Sequence, residues 1–211
     1  MKKQTANQIT EGVIWKQLLL FFFPILFGTF FQQLYNTADA VIVGNFVGKE
    51  ALAAVGGPAA TLINLLVGFF VGLSSGATVI ISQFYGAKNN ADVKKAVHTS
   101  IALSLAGGAI IMILGLIFSG AALQLMNTPD DIMKLSLTYM RIYFLGVIPS
   151  LIYNMGSGIL RAAGDAKRPL YFLIISCFIN IILDIFFVVV LKLGVAGVAI
   201  ATTLSQVASA V

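Results

Sequence analysis

The sequence predicts an all-α membrane protein with six transmembrane helices. Three observations carry that reading. Hydrophobic residues make up 59% of the 211 and charged residues only 10%, a balance that soluble domains do not show. The apolar residues gather into runs of about twenty or more, the length that crosses a bilayer as one helix. Lysine and arginine collect in alternate loops, as membrane topology requires. The net charge of +5 therefore reflects topology and not a nucleic-acid surface. One cysteine, Cys177, excludes an internal disulfide framework and reads as packing.

Residues 1–12 read as a polar, basic leader without a cleavable signal, followed by a six-helix unit over 13–211. The first span is expected at 14–43. Pro24 lies in its first half and predicts a bend, since proline removes an intrahelical hydrogen bond. Gln32, Tyr35, Asn36 and Asp39 follow the i, i+3, i+4, i+7 pattern and share one face. A polar stripe on a spanning helix faces a cavity and not lipid. The second span, 51–82, is longer than a bilayer needs. It must tilt, protrude or break at Gly56-Gly57-Pro58. Gly68, Gly72 and Gly76 recur at four-residue spacing and suggest close helix packing.

A polar loop at 83–98 precedes the third span, 96–125. Asn127-Thr128-Pro129-Asp130 reads as a helix start inside the loop 126–135. The fourth span is set at 142–159, with Arg141 at its outer end, where it snorkels to water, and Asn154 deeper. The basic loop 161–169 leads to the fifth span, 170–191. The sixth, 195–211, carries Thr202, Ser205, Gln206 and Ser209 on one face. The last residues stop within an apolar run, as expected of a piece of a longer protein.

Lys2, Lys3, Lys16, Lys88, Lys94, Lys95, Arg161, Lys167 and Arg168 fall on one side of the membrane, nine in all; Lys49, Lys134, Lys192 and Arg141 fall on the other, four at most. The richer side, with the N-terminus, is expected to be cytoplasmic. Pro24 precedes Asp39 by fifteen residues, and Pro169 precedes Asp184 by fifteen. Spans one–two and five–six therefore read as a parallel repeat, a device of transporters.

The chemistry lies in the fifth span. Asn180 and Asp184 are four apart and share a face. A carboxylate inside hydrocarbon is costly and marks a functional site by default. Asp39, at similar depth, is its expected partner, with Asn180, Thr202 and Gln32 also inside apolar spans. No lysine or arginine lies at matching depth. Two such carboxylates must hold a proton or a cation. The donors are all oxygens, which suit a hard cation and not a soft metal. The coupling ion is thus Na⁺ or H⁺, with no other cofactor. No phosphate-binding glycine loop, zinc motif or nucleophile–base pair appears, so an enzyme is not expected.

Several stretches resemble one family. These are Pro24 with QQLYNTADAVIVGNFVG, then GKEALAAVG, SQFYGAKN, NMGSGILRAAGDAKRP, and INIILD followed by GVAGVAIATT. Together they are similar to the N-terminal half of a multidrug and toxic compound extrusion (MATE) transporter. The resemblance implies twelve helices in two six-helix lobes around a central cavity, of which this chain supplies one. The C-terminal lobe is then a missing partner, beside membrane lipid and drug-like substrates. It implies export of organic, often cationic compounds against inward Na⁺ or H⁺ across a bacterial or archaeal plasma membrane. It also implies an ion site at Asp39, Asn180, Asp184 and Thr202, a substrate pocket including Gln32, Tyr35 and Asn154, and a bending point at Pro24. The alternatives are a lipid or lipid-linked sugar flippase of the same superfamily, or a non-transporting scaffold or channel.

Overall fold

The structure, a computed structural model, describes residues 13–210; the leader 1–12 and Val211 lie outside them. The described residues form eight α-helices and one π-helical stretch, with no strand among them. They are α1 (Ile14–Phe46), α2 (Lys49–Gly56), α3 (Pro58–Gly86), α4 (Asn90–Leu125), α5 (Asp130–Leu145), α6 (Val147–Ala162), α7 (Lys167–Asp184) and α8 (Gly194–Ala210). The π-helical stretch, Ile185–Val190, continues α7.

Four helices are long and apolar enough to cross a membrane, with α2 and α3 taken together; α5 and α6 make a fifth when counted as one bent span. Helix α8, the expected sixth span, is apolar but shorter, at seventeen residues. The second span does break, at Gly57, where Pro58 opens α3 in the first turn that tolerates it. The third begins earlier than the sequence reading, at Asn90. The Asn89 side chain caps it by accepting the Asp92 backbone N–H at 3.3 Å.

The fourth span corrects the sequence reading most. It does not start at residue 142. Helix begins at Asp130, just past Pro129, and runs to Leu145; a 53° bend then leads into α6. Arg141 is consequently not at the outer end of a span. It is an exposed residue well inside α5, four positions before Leu145. The reason is local composition. Asp130, Asp131, Lys134 and Arg141 dilute the apolar signal of a helix whose other face is fully packed.

Helix α7 packs against α1 and α8, α3 against α4 and α6, and α5 against α2, α4 and α8. The core draws on Val43, Ala51, Ala59, Leu123, Met140, Phe144, Val198 and Ala199. Small residues matter here because lipid is as apolar as leucine, so helices associate by close van der Waals approach. The glycines that provide that approach are not those the spacing suggested. A Cβ on Gly68, Gly72 or Gly76 would meet nothing within 4 Å, whereas one on Gly115 would strike the Phe144 ring, and one on Gly146 would strike Thr203. Four-residue spacing aligns glycines on a face without deciding whether another helix covers that face.

This gives a paired test. Gly115→Ala should destabilise the lobe by about 1–3 kcal/mol through overpacking against Phe144. Gly120→Ala, with open space around it, should be neutral or stabilising by up to about 1 kcal/mol. Thermal unfolding of the detergent-solubilised protein reads both, and equal effects would refute this packing.

Candidate functional site

Asp39 sits near the C-terminal end of α1, beside the buried Ile42 and Val43. Asn180 and Asp184 share the inward face of α7, one turn apart. Thr202 faces them from α8. Relative exposures are 6% for Asp39, 0% for Asn180, 0% for Asp184 and 2% for Thr202. The structure thus brings all four expected ion-site residues into one buried cluster. Asp184, Asn180 and Thr202 are side-chain neighbours of the Asp39 carboxylate.

Two serines hold this arrangement. The Ser176 hydroxyl donates to the Ser205 carbonyl at 2.7 Å, joining α7 to α8 one turn from Asn180. The Ser205 hydroxyl donates to the Thr202 carbonyl at 2.8 Å. Together they fix the register in which Thr202 meets the acids. Where α8 passes the π-helical stretch, Gly197 lets it approach the backbone of Phe187; an added Cβ would lie 3.1 Å from the Phe187 carbonyl carbon.

The cluster is short of donors. Thr202 Oγ1 donates to Asp39 Oδ2 at 3.4 Å, long for a hydroxyl on a carboxylate. Among the described residues, Asp39 Oδ1, both Asp184 oxygens and both Asn180 side-chain atoms lack a hydrogen bond of good geometry, although Asp184 and Asn180 lie close to the Asp39 carboxylate. Buried polar atoms are normally paired, and a buried carboxylate left alone is costly. The two ion pairs among the described residues, Lys95–Asp92 and Arg168–Asp165, lie elsewhere. Four oxygens and one amide nitrogen, all without a well-formed hydrogen bond, converge in one buried place.

A pocket of about 60 Å³ is lined in part by Gln32, Tyr35, Asn154, Ser176, Ser205 and Gln206. All three expected pocket residues therefore line it. Tyr35 links pocket and acids, since its hydroxyl neighbours both Asp39 and Thr202. Asn154 is oriented by donating from Nδ2 to the Ser150 carbonyl at 2.8 Å. Cys177, read as packing, is buried and free and also borders the pocket. The stripe on α1 divides, however. Asn36 is exposed and donates to Gln33 Oε1 at 3.3 Å, away from the acids.

Two residues escaped the sequence reading. Tyr139 and Tyr143 are buried, with ring centroids 6.3 Å apart. Tyr139 neighbours both acids, and Tyr143 reaches toward Gln206 and Ser150. The signal was present: Ser136, Tyr139, Met140 and Tyr143 follow i, i+3, i+4, i+7. Placing the loop over 126–135 and starting the span at 142 hid it. Pro24 lies in the part of α1 that buries no residue, and α1 continues through it as one helix.

An all-helical lobe with apolar walls and buried, unpaired carboxylates has the build of a membrane transporter. The chain belongs to the MatE family, whose model matches residues 24–186. Among curated relatives, it is 34% identical over 200 residues to the probable multidrug resistance protein YoeA of Bacillus subtilis, covering 93% of this chain and 43% of YoeA. It is 33% identical over 205 residues to YpnP of the same organism, another probable multidrug resistance protein, covering 95% of the chain and 45% of YpnP. Among solved structures, it matches a MOP superfamily transporter from Pyrococcus furiosus with a TM-score of 0.91 at 30% identity, covering 100% of this chain and 46% of that one. An outward-facing multidrug resistance MATE family transporter of the MOP superfamily matches with the same TM-score, identity and coverage. The chain spans less than half the length of these relatives.

If the carboxylates are held without structural partners, Asp184→Asn should stabilise the protein in cation-poor buffer by about 1–3 kcal/mol. A higher unfolding midpoint is expected; a lower one would show that Asp184 holds the lobe together.

Proposed function

We propose that this chain forms the ion-coupled half of a multidrug exporter that exchanges inward Na⁺ or H⁺ for outward organic cations. The observation that carries the reading is the cluster of unpartnered buried atoms on Asp39, Asn180 and Asp184. Oxygen donors of this kind suit a hard monovalent cation, and the same carboxylates suit a proton. In this reading Asp184 and Asp39 bind the ion, Asn180 orients Asp184, and Thr202 completes the set from α8. The names of YoeA and YpnP support the drug-efflux side.

The pocket sets a size constraint on the drug. At about 60 Å³ it is well below the roughly 300–1,000 Å³ that encloses a drug-sized ligand. Gln32, Tyr35 and Asn154 therefore contact one polar end of a substrate, and the rest is enclosed by residues outside this chain, in a second lobe. The pocket lining contains no lysine or arginine, which favours a cationic drug over a lipid-linked phosphate.

Drug and ion then compete for one buried negative charge. Ion arrival from outside bends α1 at Pro24, draws Tyr35 and Gln32 inward, and displaces the drug. Such coupling requires different ion affinities in the outward- and inward-facing states. Solved relatives described as the bent and straight conformations match with TM-scores of 0.89 and 0.90. With the lysine-rich loops in the cytoplasm, the N-terminus is cytoplasmic and the membrane is the plasma membrane of a bacterium or archaeon.

Calorimetry on the purified protein at two pH values tests this directly. Saturable Na⁺ binding that Asp184→Asn abolishes is the expected result; proton release on adding a cationic drug, without Na⁺ binding, would assign H⁺. The absence of both signals would overturn the reading. Pro24→Ala should lower drug transport at least tenfold while the unfolding midpoint stays within a few degrees, and an unchanged rate would remove Pro24 from the mechanism.

A further inference from the structure

A second cavity, of about 660 Å³, lies between α3 and α4, away from the acid cluster. Its walls include Leu73, Ala77, Ile80 and Phe84 from α3 and Leu103 from α4, with Gly72 and Gly76 also lining it. The space beside those two glycines is open, since a Cβ on either would meet no atom within 4 Å. The few polar groups on its walls are already satisfied. Thr99 donates to the Lys95 carbonyl at 2.9 Å, and Ser100 donates to the Ala96 carbonyl at 2.8 Å. The interior therefore asks for hydrocarbon and nothing else.

The length and the mouth narrow the occupant further. From Phe84 back to Gly72 the groove follows α3 for about 18 Å, close to one leaflet of a roughly 30 Å hydrocarbon core. At the end nearest the α3–α4 turn the groove is lined by Lys95 and one acid, Asp92, with the exposed Lys88 and Lys94 adjacent in the chain. That acid is occupied locally: Asn89 Nδ2 donates to it at 2.7 Å and Lys95 Nζ at 3.2 Å. Net positive charge is left at the end of an apolar groove one leaflet long, at the lysine-rich face of the membrane. Basic pockets between transmembrane helices suit anionic headgroups.

We infer that the α3–α4 groove binds an anionic phospholipid, with one acyl chain along Gly72–Phe84 and the headgroup phosphate at Lys95, which lines the groove, helped by the neighbouring Lys94. The occupant is a lipid and not a free phosphate, because most of the groove wall is apolar and a phosphate alone would leave it unfilled. The site is separate from the ion cluster and stands whether or not the ion reading holds.

The test uses the purified protein with Phe84→Trp as the only indole, Trp15 and any other tryptophan being replaced by phenylalanine. It is reconstituted in phosphatidylcholine vesicles, and quenching is read as brominated phosphatidylglycerol or brominated phosphatidylcholine is mixed in. Phosphatidylglycerol should quench at a lower mole fraction, by roughly fivefold per contributing lysine. Lys94→Gln with Lys95→Gln should bring its curve to that of phosphatidylcholine while the groove stays open. Gly76→Leu, which has room to fold, should reduce quenching by both lipids. Equal quenching by the two lipids in the parent protein would overturn the proposal in favour of an unselective bilayer contact. No quenching by either would overturn it in favour of protein, a second lobe or a second copy, covering the groove.

Discussion

Two carboxylates buried side by side, without a basic partner, constrain everything else in this lobe. Neither can stay ionised and alone at such burial, because the desolvation of a charge far exceeds any single contact nearby. The surrounding lobe holds them in place without neutralising them. Close helix approach at Gly115, Gly146 and Gly197, and the serine link between α7 and α8, hold the helices that carry the four side chains. None of these devices supplies the missing donors. The lobe thus fixes the geometry of the cluster while leaving its charge without a basic partner among the described residues.

The irregular backbone lies around the same place. The bend between α5 and α6 occurs at Gly146, which packs against Thr203, the neighbour of Thr202. The π-helical stretch begins directly after Asp184 and touches Gly197 on α8. Departures from regular helix often sit at functional sites, because they let side chains converge where an ideal helix would not. Here they meet the acid cluster from two sides.

Most of the fold and most of the site were legible in the sequence, for different reasons. Long apolar runs announce spans, because lipid tolerates few polar groups, and the break at Gly57 followed from length and Pro58. Asp39, Asn180, Asp184 and Thr202 stood out because each is polar where hydrocarbon was required. What failed was anything decided by tertiary covering. Helix α5 carries charge on its exposed face, so average hydropathy hid the buried stripe with Tyr139 and Tyr143. The spacing of Gly68, Gly72 and Gly76 could not say that no helix covers them. Asn36 shares a nominal face with Asp39, yet a local bond to Gln33 turns it away.

Helix α1 is attached unevenly. Asp39, Ile42 and Val43, all near one end, are its buried residues. The remainder, back toward Ile14, is a long apolar rod with partners on one side only. Mechanically this is a cantilever clamped at the acid pair. From Asp39 to Ile14 the arm is about 37 Å long, so a tilt of about 5° at the clamp moves the far tip by about 3 Å. A small change of tilt around Asp39 is thereby magnified at the other end of the helix, along which α7 is its main neighbour.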